Sequence, residues 1–399
     1  MADVDFISKL IHRILRIYRI GEGVAMKSKV YFITAHSRTF AYESGLEGKF
    51  ENFLKGFDLS AYITKDEVVP IKMHLGNRGA FRTIRPQFVK LVVEAVKDVP
   101  AQPFVTDSVR VPGYEYLEIA KNAGYTHLTL GAPVVLADGI YGNDSFKVQA
   151  GELLGELSIA SAIHDAPSMV VLTHVKGHIQ AVLGGAIKNL SMGGVSFAPR
   201  NDTWQHGRGR MHFLMGDIME WDEAKCTLCH DCMNICPMEC ITFQDDKYTV
   251  DKENCWRCGR CARVCPVEAL AVPITHEIFM KALAEGAKAV LDTFDKRRIL
   301  YVNFLLEMQP ECDCMPMADP PVAQDQGILI SDDPVAIDAA TLDILSRVKP
   351  LPDSRAADIK MKEGWDIFSL LHKKDGKLQI KEAEHLGLGS SDYELIKVG

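Results

Sequence analysis

The sequence predicts an α/β fold: a parallel or mixed sheet with helices on both faces, interrupted by a small α+β module built around cysteines. Three observations predict it. From Lys29 to about residue 200, short β-branched runs alternate with helical stretches, the pattern of parallel strands joined by crossover helices. The same rhythm resumes after Pro273, and between the two parts nine of the chain's 11 cysteines crowd into Cys226 to Cys265.

Taken in order, FISKLIHRILRIYRI sets Phe6, Ile7, Leu10, Ile11, Ile14, Leu15 and Tyr18 at helical spacing, with Lys9, His12, Arg13, Arg16 and Arg19 between them. Residues 1–28 are therefore predicted as an amphipathic helix. Its charges and the lack of a small-residue cleavage site argue against a secretory signal or a membrane span. Such a helix lies on a membrane surface or, the preferred reading, packs on the body or on a second subunit; the choice between monomer and homodimer stays open.

Strands are predicted at VYFIT, VVPIKM, PFVT, APVVLA and MVVLT, each followed by a helix: LEGKFENFLKGF, PQFVKLVVEAVKDV, YLEIAKNAG, ELLGELSIASAI and GGAIKNL. A loop-like segment from Ala198 to Gly216 sets Arg200, Arg208 and Arg210 beside glycines. After Pro273 come the helix EIFMKALAEGAKAVLDTF, the strands ILYVNFLL and GILI, and a capping signal, Ser331 to Pro334, ahead of the helix VAIDAATLDIL. The last fifty residues or so are weakly patterned and are given one or two helices. Residues 29–216 and 274–399 thus read as two parts of one α/β domain, with 217–273 inserted.

Within the insert, CTLCHDCMNICP begins at Cys226 and CWRCGRCARVCP at Cys255, every ligand-type cysteine recurring 29 residues on. This is the run of bacterial two-cluster ferredoxins, in which the fourth cysteine ligates the other cluster. It assigns Cys226, Cys229, Cys232 and Cys265 to one 4Fe-4S cluster, and Cys255, Cys258, Cys261 and Cys236 to a second. The competing reading, a pair of zinc sites, prefers four ligands in two C-x2-C pairs and fits poorly. A unit of about fifty residues also needs a staple beyond its hydrophobic core. ITFQDDKYTVD reads as a hairpin turning at Asp245-Asp246. Cys240 falls opposite Ala269 in the repeat, as a buried thiol would. His230 stands opposite Gly259, either tuning a cluster through hydrogen bonding or facing solvent. From Trp221 to Val272 the chain resembles the two-cluster bacterial ferredoxins.

Ligands of open parallel sheets bind beyond the carboxyl ends of the strands. There this chain carries His74 with Asn77 and Arg78, Thr106-Asp107, Asp138, His174 with Lys176 and His178, and finally Cys312-Asp313-Cys314. Cys312 and Cys314 face one way if extended, which suits chelation and strains a mutual disulfide. Gly184-Gly185 opens the helix AIKNL, so free N–H groups with Lys188 a turn in can hold an anion, or the glycines serve close contact. Cys312, Cys314, His174, Lys176 and His178 are the candidate catalytic groups; His74, Asp107, Gly184, Gly185 and Lys188 are the candidate cofactor-binding ones.

HLGNRGAFRTIRP from His74, THVKGH from Thr173, GGAIKNLSMGG from Gly184, the two cysteine runs, Cys312 to Cys314, and DDPVAID from Asp332 occur in this order. Together they resemble the family catalogued as domain of unknown function 362, in its branch with an inserted two-cluster ferredoxin. The resemblance covers about Lys29 to Arg347 and implies an intracellular iron-sulfur protein with redox work, without supplying a substrate.

A net charge of -8 argues against nucleic acid as a partner, and clustered, sparse cysteines argue for metal in a cytoplasmic setting rather than disulfides. The leading reading is an oxidoreductase: low-potential electrons pass through two 4Fe-4S clusters from a redox partner protein to a second site holding a metal or a flavin-like cofactor, with a small molecule as ligand. No G-x-G-x-x-G opens a helix after a strand, which argues against a dinucleotide. The alternatives are a plain electron carrier, and a maturation factor handing on a metal from Cys312 and Cys314.

Overall fold

Eight strands form the central sheet, in the order Tyr393–Val398, Ser28–Thr34, Gly327–Ser331, Ile299–Leu305, Met169–His174, Val68–Lys72, Gln102–Asp107, Val134–Leu136. All run the same way except Gly327–Ser331, which is antiparallel to both neighbours. This computed structural model describes residues 27–198, 205–213, 220–236, 239–252, 255, 260–271, 276–295 and 298–398. The predicted N-terminal helix, Arg200 and Cys258 lie outside the described residues.

The central strands show why the sequence reads as continuous apolar runs. In Met169–His174, Met169 and Val171 join one core and Val170 and Leu172 the other; in Ile299–Leu305, Ile299, Tyr301 and Leu305 oppose Leu300, Val302 and Phe304. Side chains alternate across a strand, so a sheet covered on both faces needs apolar residues at every position. Helices Leu46–Gly56, Pro86–Asp98 and Gly113–Asn122 supply one core, and Ala186–Gly194, His276–Leu291, Pro334–Leu345 and Lys377–His385 the other.

One expectation needs correcting. ELLGELSIASAI is not a helix: Gly155–Ala160 pairs antiparallel with Ser145–Gly151, in the register Phe146 to Ile159 and Val148 to Leu157, and only the turn Ser161–His164 is helical. Leu153 and Leu154 donate their N–H groups to the buried Glu285 carboxylate, at 3.1 and 2.9 Å. Cross-strand pairing and that distant acceptor override a helix-like spacing of leucines. The C-terminal segment holds the helices Ile367–His372 and Lys377–His385, and also an edge strand, Tyr393–Val398.

That edge is tied by Asp333. Its Oδ1 caps Pro334–Leu345, accepting from the N–H groups of Val335 and Ala336 at 2.8 and 2.9 Å, while Oδ2 accepts from Ser28 Oγ at 2.7 Å and Ser390 N at 2.9 Å. The segment read as inserted has its own small core of Cys232, Cys240, Ile241, Cys261 and Leu270. Its hairpin, Ile241–Gln244 with Lys247–Val250, turns at Asp245 and Asp246, both left-handed at φ 49 and 61°, as a two-residue turn of this hand requires. Glu239 and Glu268, 29 residues apart, share a φ of 51°, so the sequence repeat is also a backbone repeat. Among the described residues no helix is long and apolar enough to cross a membrane.

Asp333→Ala removes a helix cap and both ties to the sheet edge. The expected loss is about 2 kcal/mol, read from the urea midpoint, with earlier amide exchange in Tyr393–Val398 than in Ile299–Leu305.

Candidate functional site

Four adjacent parallel strands, Ile299–Leu305, Met169–His174, Val68–Lys72 and Gln102–Asp107, bring their carboxyl ends side by side. The Cys312 and Cys314 sulfurs and a His178 ring nitrogen lie there within 4.8 Å of one another, a group that can hold a metal ion.

Asp313, between the two cysteines, fixes their loop. Its carboxylate accepts from His174 Nδ1 at 2.9 Å, Lys176 Nζ at 2.9 Å and Gln309 Nε2 at 3.1 Å. Burial alone would raise this carboxyl, but the charges of His174 and Lys176 outweigh it and hold the group far below its usual range. His174 Nε2 donates to the Leu306 carbonyl at 2.9 Å. Both ring nitrogens of His174 are thus engaged, and Lys176 faces the same carboxylate. Through these contacts His174 and Lys176, both expected among the catalytic groups, hold the cysteine loop in place. Gly177 between Lys176 and His178 is required: a Cβ there would lie 2.1 Å from the Pro310 carbonyl oxygen.

Cys312 has no exposed surface. Its sulfur accepts from Cys314 N at 3.3 Å and from Lys188 Nζ at 3.4 Å. Burial pushes this thiol up, yet the Cys314 hydrogen bond, the Lys188 charge and the His74 hydrogen bond together bring it well below its usual value. The hydrogen bond to Cys312, and then burial, keep the Cys314 thiol well above its own. Of the two sulfurs, Cys312 is thus the one whose surroundings favour the thiolate. Lys188 is presented by the helix Ala186–Gly194, which Asn189 anchors by donating Nδ2 to the Leu172 carbonyl and to Thr173 Oγ1, each at 2.9 Å. Asn77 Nδ2 donates to the Cys314 carbonyl at 2.8 Å.

Beside the dithiol runs a buried polar chain. Lys72 Nζ pairs with Asp107 Oδ1 at 3.2 Å, Tyr116 OH donates to Asp107 Oδ2 at 2.6 Å, and Tyr116 OH lies 3.3 Å from His74 Nδ1. Burial brings Lys72 down to about 8 despite Asp107. Burial also lowers His74, against the pull of Cys312 and Asp107. Asp138 accepts from Val109 N at 2.8 Å and Phe197 N at 2.9 Å, and so shapes the loop after Gln102–Asp107.

Gly184 and Gly185 do not form the expected anion site. The start of Ala186–Gly194 already receives an internal anion: Asp338 accepts from Ala186 N at 2.8 Å and Ile187 N at 2.9 Å, and from Asn303 Nδ2 at 2.9 Å. A Cβ on Gly185 would lie 2.4 Å from that carboxylate, so this glycine serves close approach.

In the cysteine segment, Cys226, Cys229, Cys232 and Cys265 line one hollow, partly open to solvent, together with Trp221, His230 and Tyr248. Trp221 Nε1, His230 Nδ1 and Tyr248 OH are buried without a hydrogen-bond partner among the described residues. Four thiols and orphaned donors around one hollow fit an occupant rich in acceptors, as the sulfides of an iron-sulfur cluster are. On the other side, Cys240 Sγ lies 3.5 Å from Cys236 Sγ. Arg260, beside Cys261, forms an ion pair with the buried Glu311, beside Cys312, and Arg355 Nη1 reaches the same oxygen at 3.2 Å. Residue-type reading at the strand ends did not single out Lys72, Tyr116, Gln309, Glu311, Asp338 or Arg260. Glu311 and Arg260 each adjoin a predicted ligand, which was the available signal.

Fold and site define an α/β protein with a buried dithiol-histidine group at its strand ends. The chain belongs to the family described as "Domain of unknown function (DUF362)", whose model matches residues 69–343. Among curated proteins none matches. Among solved structures, that of the lactate racemase apoprotein from Thermoanaerobacterium thermosaccharolyticum is 12% identical with a TM-score of 0.30, over 70% of this chain and 51% of that one. The chain therefore matches about half the length of that protein.

Burial raises Asp338 from 3.8 to about 6. A carboxyl raised on folding contributes stability that is present below its unfolded value and lost as pH rises through its folded one. The stability of the wild type relative to Asp338→Asn should therefore fall between pH 4 and 7 by on the order of 3 kcal/mol, measured by urea denaturation at each pH.

Proposed function

We propose that the chain is an iron-sulfur oxidoreductase. Residues 217–273 form an inserted ferredoxin-type domain, with one 4Fe-4S cluster on Cys226, Cys229, Cys232 and Cys265 and a second on Cys255, Cys258, Cys261 and Cys236. The clusters, when bound, supply electrons singly at low potential. The second centre is the group Cys312, Cys314 and His178, and a redox partner protein is the electron source. The observation that carries this reading is the ion pair of Arg260 and Glu311, which joins the neighbour of one cluster ligand to the neighbour of Cys312.

At the second centre, two sulfurs and one imidazole nitrogen suit a thiophilic metal with coordination positions left for a ligand, which favours metal over flavin. Lys188 and His74 stabilise the Cys312 thiolate. Asp313, held by His174 and Lys176, aims both sulfurs one way. The chain Lys72, Asp107, Tyr116 and His74 keeps exchangeable protons next to Cys312, where reduction of a bound substrate takes them up. A plain carrier leaves the dithiol without a role. A factor that hands on its metal needs accessible thiols, whereas Cys312 is fully buried.

Two measurements test the reading. Anaerobically reconstituted protein should hold about eight irons plus one further metal; Cys312→Ser with Cys314→Ser should lose only the further metal. Zinc in place of iron in the wild type, or loss of the clusters in the double variant, would falsify it. Separately, Trp221→Phe and Tyr248→Phe each remove a donor from the hollow and so destabilise the reduced state of whatever is bound there. Each should shift one cluster to a more negative potential in a redox titration with the iron content unchanged.

A further inference from the structure

The cations around Cys312 are mostly answered from within the protein. Lys72 pairs with Asp107, Lys176 with Asp313, and Lys188 donates to the Cys312 sulfur. Arg208 donates to the carbonyls of Met192 and Val109. Arg110, three residues beyond the end of Gln102–Asp107, differs. Its Nη1 is buried with no hydrogen-bond partner among the described residues, and Ser108 Oγ, on the same loop, is buried in the same condition. Native folds leave few such donors, and those they leave call for something to meet them.

The loop that carries them is rigid. Val109, between the two, is held through its N–H by Asp138 at 2.8 Å and through its carbonyl by Arg208. The loop also borders the dithiol: Ser108 N donates to Asp107 Oδ1 at 3.1 Å, the Asp107 carboxylate leads through Tyr116 OH to His74, and, against burial, the electrostatic pull of the cysteine pair raises the Arg110 guanidinium. A donor pair bearing positive charge repels a second metal and recruits an oxyanion. Ser108 and Cys312 have no exposed surface, so the occupant is a small molecule rather than a protein or nucleic acid.

We propose that Arg110 and Ser108 form the subsite for the carboxylate or phosphate group of a small organic substrate whose reacting end faces Cys312, Cys314 and His178. The proposal deepens the oxidoreductase reading and rests on it for the reacting end; oxyanion binding itself can be measured without electron transfer.

The test uses the full-length, anaerobically reconstituted chain. Its thermal unfolding is followed with inorganic phosphate in one arm and malonate in the other, at constant ionic strength set by chloride. A saturable rise in melting temperature is expected in at least one arm, and the stronger arm identifies the group recognised. Arg110→Met should weaken that binding by at least about tenfold, Ser108→Ala by less, and Arg110→Lys should restore part of it. Absence of saturable binding in both arms overturns the proposal, as does equal affinity in Arg110→Met. Arg110-dependent binding in a chain whose Cys312→Ser, Cys314→Ser variant keeps the wild-type metal content upholds the subsite and overturns the oxidoreductase reading.

Discussion

The candidate site depends on one buried carboxylate. Asp313 lies between two cysteines in a turn closed by Met315 N donating to the Cys312 carbonyl at 2.9 Å, and within that turn both sulfurs come within reach of His178. Anchoring Asp313 to His174, Lys176 and Gln309 holds the turn, and with it both sulfurs, in place. The anchor reaches from the end of Met169–His174 to the loop after Ile299–Leu305, neighbouring parallel strands, so the sheet itself sets the distance between His178 and the dithiol. A buried carboxylate survives such a position only if its charge is answered. A histidine donating from both ring nitrogens and a buried lysine answer it here.

The same economy governs the rest of the interior, where the buried carboxylates near the strand ends serve the architecture. Asp138 shapes the loop that carries Arg110, Asp107 holds Lys72 and Tyr116, and Asp338 caps the helix that presents Lys188. With the acids committed, the charge left over is positive. That excess favours the thiolate form of Cys312, the state in which sulfur binds metals.

Much of this was legible in the sequence, and the parts that were not share a cause. All seven strands read from β-branched runs, VYFIT through GILI, lie in the sheet, the central ones because a doubly covered strand must be apolar throughout. The Asp245-Asp246 turn and the Asp333 cap were legible because each is decided within a few residues. ELLGELSIASAI misled because its fate is set by Glu285, more than a hundred residues away. Tyr393–Val398 gains its identity only by pairing with Ser28–Thr34. Gly184-Gly185 misled because a helix start looks empty in a sequence whether or not a distant Asp338 fills it. His174, His178 and the cysteines could be named from residue type, but which of them clamps and which faces the sulfurs is a fact of contact.

The ion pair of Arg260 and Glu311 adds a constraint of a different kind. Glu311 Oε1 receives Arg260 from the cysteine segment and Arg355 from the C-terminal part, while Oε2 is buried without a partner among the described residues. Burial raises this carboxyl even though the two arginines pull it down, so its charge depends on both cations staying in place. A charged contact of this sort is specific in geometry and costly to break by removing one side. It makes the path from Cys261 to Cys312 short in sequence terms, one residue on either side of the pair. Apolar contact alone is non-directional and tolerates sliding; a guanidinium-carboxylate pair fixes the register at the point where the cysteine segment meets the loop of the second site.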